Sequence, residues 1–559
     1  MKKKLLCLFL AGLAVLTVSS CNLLVNPFVT TTATTTTTTT TTVTSDRSNL
    51  PPYLRGETVK GHEYCYEFDE NEYQAFELRL ADAKTKCENE VDFNEFYSVY
   101  EEAEDFYNLL SKGYKAEYLE YCLYGKDESQ ENYLMFQNRS TDIVQWYNEV
   151  EHMAYKNSFK SLLYPDMSDE EILARIGKEY PEAYYTIKKD LNQISADFLA
   201  LDYNSSNYTT EAEKLTVKYV NKANELNTYL GRAYFTDAYE TEYARDFTPE
   251  DTDNYFKYVM QYALPAYINL GSSSTRGLTA SEKELYYKLF ANEGGSKPDA
   301  FLVCFDEIEA YKESMGGVVK EAFDNLFKDG GYYYITYESK GYDGAFQDTF
   351  TDGTPYVLYG TGYHDPFTVI HEFGHYTAAT KYNGMLCYDL AETQSQANEM
   401  LFALDFLNRH NASNNLKNAI INTKLQDFYE TVIIAAIVNE VEKVCYAKSP
   451  MKVGDIDDAV NAIFRKYRDL ERAGFYNLGV ASYCKYVMVY SPAYYISYST
   501  SLIGSLDIYK MATESFNKGK EAYLKLIDYD FSIKGYRDVY AQAGLHDPFS
   551  EECFQYIFS

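Results

Sequence analysis

Phe96, Val99, Tyr100, Ala103, Phe106, Tyr107 and Leu110 recur at three- and four-residue spacing. An α-helix gathers such positions into one apolar stripe, and that stripe has to be covered by another element. Asp92 and Glu95 open the segment at N-cap and N3 spacing. The same signature recurs at Ser168–Glu171 and Thr279–Glu282, and "TPED" at Thr248 adds a proline suited to a first helical turn. From about residue 55 the chain therefore reads as many helices joined by short turns, with no fixed-period repeat. The interval from Gly330 to Gly360 differs, being rich in β-formers and punctuated by Gly, Asp and Pro. It predicts two or three short strands directly before a histidine-bearing helix. The expected class is mainly α, with a small β-sheet beside that helix.

The N-terminus reads as an address. "MKKKLLCLFLAGLAVLTVSSC" has a basic head and an apolar run too short for a confident membrane span. Its ending is similar to a bacterial lipobox, which implies a signal peptide over residues 1–20, cleavage before Cys21 and lipidation of that sulfur. An ordinary signal peptide cut near Ser20 is the alternative. The Thr-rich residues 21–50 have no periodicity from which to build a core and read as a spacer.

A net charge of −32 excludes nucleic acid as a partner, because such binding needs Lys and Arg to replace phosphate counterions. It fits a solvated acidic surface, or an acidic cleft favouring cationic peptides. Beyond Cys7 and Cys21, the cysteines are Cys65, Cys87, Cys122, Cys304, Cys387, Cys445, Cys484 and Cys553. They form no CxxC pair, which argues against a cysteine metal site and is compatible with small buried residues.

"YHDPFTVIHEFGHYTAATKYNG" is a punctuated helix. Asp365 can cap it, Pro366 suits its first turn, and Asn383-Gly384 can end it. His371 and His375, two of only seven histidines, stand one turn apart on the same face. That geometry suits one tetrahedral zinc ion, with Glu372 as base on a metal-activated water. The plainer reading is a histidine pair bonded to carboxylates. A third ligand has to come from a second element. In "CYDLAETQSQANEMLF", Glu392 lies far enough downstream for the chain to turn back. Glu392, Ser395, Gln396 and Glu399 share one helical face, so Glu392 is the expected third ligand and Glu399 the group that orients a ligand histidine. A solvated acidic face is the alternative.

"HEFGH" followed by "DLAETQSQANE" resembles the thimet oligopeptidase / oligoendopeptidase F family of zinc metallopeptidases. In that family the third ligand is the Glu of a D-x-x-E-x-x-S segment with another Glu seven residues on, matching Glu392, Ser395 and Glu399. "PYVLYGTGYHDPFTVI" is similar to the family's strand and lead-in to the active helix. "SPAYYISYSTSLIGSLDIY", from Ser491, is similar to its C-terminal P-x-Y-Y-x-x-Y segment. The resemblance implies tyrosines there that stabilise the tetrahedral intermediate. By position Tyr498 is the first candidate, Tyr495 the second and Tyr494 the third. In a chain with 59 tyrosines, such a cluster also reads as core. One departure stands out: the family's histidine about a dozen residues before the last tyrosine is replaced here by "CKYVMVY", around Tyr486 and Val487. His62, His152, His364, His410 and His546 read as structural or surface residues.

The resemblance further implies two helical lobes, residues 51–290 and the catalytic 291–559, around a deep central channel suited to short peptides. Gly344-Ala345-Phe346 and Tyr356–Tyr359 could offer backbone to an extended substrate. The combined expectation is a monomeric zinc endopeptidase with one zinc ion and peptide substrates, held on a bacterial cell surface by a lipid anchor. A surface peptide-binding lipoprotein without useful catalysis, and a zinc aminopeptidase, are the competing readings.

Overall fold

The computed structural model describes residues 66–202, 205–270, 275–290, 300–328, 332–335, 342, 344–360, 365–381, 386–530, 532–533 and 535–559. The expected signal peptide, Cys21, the Thr-rich spacer, His62, Cys65, His364 and the Asn383-Gly384 helix stop lie outside these residues.

The apolar stripe belongs to α2 (Phe93–Tyr124), which packs with α1 (Glu70–Glu88) and α3 (Asp127–Tyr155). Asp92 caps α2 by accepting the Glu95 N–H. Phe96, Tyr100, Ala103, Phe106, Tyr107 and Leu110 are buried, and Val99 is half-buried. They share a core with Tyr73, Phe76 and Trp146 that ends at Phe159. A second, larger core runs from Tyr184 to Ile557, so residues on both sides of position 290 pack together.

The capping boxes at Ser168–Glu171 and Thr279–Glu282 both form. Thr248 departs from expectation. Thr248 and Asp251 exchange backbone-to-side-chain bonds of 2.8 and 3.3 Å, but the helix starts only at Thr252. The Thr252 hydroxyl donates to the Pro249 carbonyl at 2.6 Å, which holds the intervening residues as a turn.

Among the described residues three strands form: β1 (Tyr332–Ile335), β2 (Ala345–Thr349) and β3 (Pro355–Tyr359), in the order β1-β3-β2. β3 pairs parallel with β1 and antiparallel with β2, which places Phe346 opposite Leu358. The β2–β3 turn passes through Gly353, whose φ of 89° favours glycine. Side chains alternate across β3. Tyr356 and Leu358 meet Leu119 and Leu123 of α2, whereas Val357 and Tyr359 join the larger core. Burial on both faces explains why "PYVLY" reads as a continuous apolar run. One sequence expectation needs correction here. Tyr356–Tyr359 form the middle strand, already paired on both sides, so of the two expected segments only Gly344–Phe346, at the β2 edge, can offer backbone to an added peptide strand.

The sheet packs on α4 (Pro366–Ala379), and α4 packs on α5 (Tyr388–Arg409). Beyond α5 lie α6 (Asn414–Tyr446), α7 (Val480–Tyr490) and α8 (Ile496–Glu514). α8 is buried without interruption from Ile496 to Ile508. Its small hydroxyl residues let it lie close to both neighbours: Ser501 donates to Gln396 and Ser499 to the Val432 carbonyl, each at 2.7 Å. Among the described residues no helix is long and apolar enough to cross a membrane. Cys87, Cys122, Cys387, Cys445, Cys484 and Cys553 are free and buried, as small core residues are.

Gly374 sets the α4–α5 spacing. A Cβ there would lie 2.8 Å from the Ser395 Cα and 2.9 Å from the Gln394 carbonyl oxygen. These are backbone atoms and cannot rotate away. Alanine gains about 1 kcal/mol of helix propensity over glycine, but overpacking typically costs about 1–3 kcal/mol, and here it acts on a rigid contact. Gly374→Ala is therefore expected to lower the urea midpoint of unfolding. An unchanged or raised midpoint would contradict this packing.

Candidate metal centre and active site

The sequence before α4 fixes where the helix starts. Gly360 admits no side chain, since a Cβ would lie 2.0 Å from the Gly344 carbonyl oxygen. Asp365 then caps α4, accepting the N–H groups of Phe367 at 3.0 Å and Thr368 at 3.1 Å, with Pro366 in the first turn. The helix runs to Ala379, with Thr380 at its C-cap.

His371 and His375 project together, their ring centroids 5.0 Å apart. Glu392 on α5 faces them. One of its oxygens, Oε2, lies 3.5 Å from His371 Nε2 and 3.6 Å from His375 Nε2. The candidate ligand atoms of the three residues all lie within 4.8 Å of one another. Tetrahedral zinc with bonds near 2.0–2.1 Å places its ligand atoms about 3.3 Å apart, so the two histidine–carboxylate distances are close to what one ion needs. His371 Nδ1 bonds Glu399 Oε1 at 2.7 Å, while its buried Nε2 has no hydrogen-bond partner. That arrangement leaves Nε2 facing the Glu392 carboxylate beside His375. The residues therefore fit a single divalent ion.

α5 is not the solvated acidic helix its composition allows. Every residue from Asp389 to Ala403 is buried. Its charges are consequently paired. Burial alone would raise the Glu392 carboxyl, but the two histidines hold it well below the usual carboxylate range. Burial acts the same way on Glu399, and Lys424 with His371 overcomes it. The Lys424 Nζ, on α6, donates to Glu399 Oε2 at 2.7 Å. Burial would lower His371, yet Glu392 and Glu399 raise it to about 10.

Ser491–Tyr495 joins α7 to α8 and carries Tyr494 and Tyr495 to this centre, with Tyr498 following in the first turn of α8. The Tyr494 hydroxyl donates to Glu392 Oε1, the oxygen opposite the one nearest the histidines. Tyr495 meets the Tyr483 hydroxyl on α7. Tyr498 is 1% exposed, its ring 5.3 Å from that of Tyr494 and 5.1 Å from that of Tyr495. Glu372 follows His371 on α4 and is fully buried. The structure thus brings together His371, Glu372, His375, Glu392, Glu399 and the tyrosine cluster. Tyr494, the third candidate by position, is the tyrosine whose hydroxyl contacts the Glu392 carboxylate.

Lys424 and Tyr483 escaped the sequence reading. Lysines are common on helices, and nothing local marks Lys424 as buried. Tyr483 comes from α7, where Val487 is in the core and the Tyr486 ring lies 6.0 Å from that of Phe198. The other described histidines play structural parts. His152 is buried, His410 Nε2 lies 3.1 Å from Glu307, and His546 Nδ1 lies 3.0 Å from Asp507.

No family model matches the sequence, and no curated protein matches it. Solved structures do. A putative oligoendopeptidase F from Bacillus anthracis str. Ames aligns at 15% identity over 89% of this chain and 96% of its own, with a TM-score of 0.61. PZ peptidase A with an inhibitor aligns at 13% identity over 89% and 97%, with a TM-score of 0.61. The oligoendopeptidase-F of Enterococcus faecium aligns at 12% identity over 87% and 96%, with a TM-score of 0.51. The chain has the mainly α-helical fold of these peptidases, along nearly their whole length.

A proton on His371 competes with any cation for Nε2. Because neighbouring carboxylates raise this group, metal uptake has to expel that proton near neutral pH. Calorimetric zinc titration in buffers of different ionisation enthalpy is expected to show proton release, and affinity is expected to rise from pH 6 to pH 8. Affinity independent of pH would contradict this electrostatic balance.

Proposed function

We propose that the chain is a zinc-dependent endopeptidase of the oligoendopeptidase F kind that hydrolyses oligopeptides. The observation that carries this reading is the convergence of His371, His375 and Glu392 at single-ion spacing, on two helices of a fold shared with solved oligoendopeptidases.

His371, His375 and Glu392 hold the zinc. When bound, it supplies a Lewis acid that polarises the scissile carbonyl and acidifies water. Glu399 and Lys424 keep His371 turned toward the ion, and Tyr494 fixes the Glu392 carboxylate. Glu372 takes the proton from the attacking water and passes it to the leaving amine. Tyr498, with Tyr495 beside it, donates toward the developing oxyanion. The β2 edge at Gly344–Phe346 receives the substrate backbone as an added strand. Export and a lipid on Cys21 would place this activity at a bacterial cell surface; Cys21→Ser should then move the protein from the membrane fraction to the soluble one.

Quenched peptides test the activity. Glu372→Gln is expected to retain zinc while losing about 10²–10⁴-fold in kcat, the usual worth of a general base. Glu392→Ala should lose zinc along with activity. Peptide binding with no turnover above the Glu372→Gln background would contradict the enzyme reading and favour a binding protein. Internal cleavage of an N-terminally blocked peptide is expected; cleavage restricted to free N-termini would indicate an aminopeptidase.

A further inference from the structure

A buried ion pair stands behind the tyrosine turn. The Arg245 side chain is fully buried, and its Nε donates to Asp389 Oδ2 at 2.8 Å. Asp389 lies on α5, three residues before Glu392, and also accepts from the Thr500 hydroxyl. The other arms of the Arg245 fork reach the turn itself. Nη1 donates to the Ala493 carbonyl at 2.7 Å, and Nη2 donates to the Ser497 hydroxyl at 2.6 Å and the Tyr494 carbonyl at 3.3 Å. Tyr239 and Tyr243 hold the guanidinium in place, their ring centroids 4.6 and 4.7 Å from its carbon.

The turn is held from a second side. Glu442 on α6 accepts the Ala493 N–H at 3.0 Å. Ala493 has a φ of +64°. The left-handed region costs a residue with a Cβ about 1–2 kcal/mol, so this backbone stays there only if its surroundings impose it. Ala493 N–H, Ala493 C=O and Tyr494 C=O are all taken by Glu442 and Arg245. The residue they bracket is the one whose hydroxyl reaches Glu392.

We propose that Arg245 and Glu442 are positioning residues for the metal centre: they clamp the Ser491–Tyr495 turn and the start of α8 to α5 and α6, so that Tyr494 keeps its hydroxyl on Glu392. The proposal rests on the metal-centre reading above. A planar, five-donor fork suits the task, because one side chain must span a carboxylate on the ligand helix and carbonyls on the turn. Lysine keeps the charge but not the fork. Glu442 needs only an acceptor oxygen. Burial pushes its carboxyl up to about 8, and glutamine supplies the same carbonyl acceptor to the Ala493 N–H without a charge.

The test reads zinc affinity, by competition with a chelating dye, in a double-mutant cycle. Tyr494→Phe is expected to weaken zinc binding about tenfold or more, the usual cost of losing a group that orients a ligand. Arg245→Lys and Glu442→Leu should each weaken it by a similar factor, and Glu442→Gln should stay within about twofold of wild type. Combining Arg245→Lys or Glu442→Leu with Tyr494→Phe should add nothing beyond Tyr494→Phe alone, because all three act through one hydroxyl. If Arg245→Lys does not fold, the Glu442→Gln and Glu442→Leu pair decides the matter. Folded variants with wild-type affinity, or effects that add fully to Tyr494→Phe, would overturn the clamp. A wild type that binds no zinc is a different outcome, and it would overturn the metal-centre reading instead.

Discussion

The site depends on two helices that approach until their backbones touch. Gly374 of α4 rests on Ser395 and Gln394 of α5, with no room for a methyl group between them. His371 and His375 flank that contact on one helix, and Glu392 lies just before it on the other. Spacing at the ridge therefore becomes spacing at the centre. The sheet supports α4 from behind, and α8 supports α5. The spacing of the three candidate metal-binding residues is thus inherited from packing rather than from a flexible loop.

Bringing α5 into the interior has an electrostatic consequence. Asp389, Glu392 and Glu399 lose water, and each has to find a partner. Arg245 answers Asp389, Lys424 and His371 answer Glu399, and the two histidines with Tyr494 answer Glu392. The partners come from distant parts of the chain, and in meeting the carboxylates they also fix the tyrosine turn and the plane of His371. Satisfying buried charge and orienting the candidate metal-binding residues are the same set of contacts.

Much of this was legible in sequence, for reasons that are local. The α2 stripe, the Asp365 cap, the two capping boxes and the β-rich interval all depend on neighbouring residues. The HExxH helix and the Glu392 face follow from helical periodicity. What sequence did not disclose is non-local. Arg245 lies 144 residues from Asp389, and no spacing rule joins them. Lys424 looks like any helical lysine until α6 carries it under Glu399. Tyr494 was ranked third because position alone cannot say which hydroxyl meets the carboxylate. The middle placement of β3 depends on strand order, which two or three apolar runs do not determine. At Thr248 the proline expected in a first helical turn lies instead in a turn closed ahead of the helix.

The proposed function requires His371, His375 and Glu392 to bind one ion together. X-ray absorption at the zinc edge of the loaded protein tests it most directly. The account predicts two imidazole nitrogens and light oxygen ligands at about 2.0–2.2 Å, with this environment lost in Glu392→Ala. Sulfur ligands near about 2.3 Å, or a spectrum unchanged by that substitution, would contradict it.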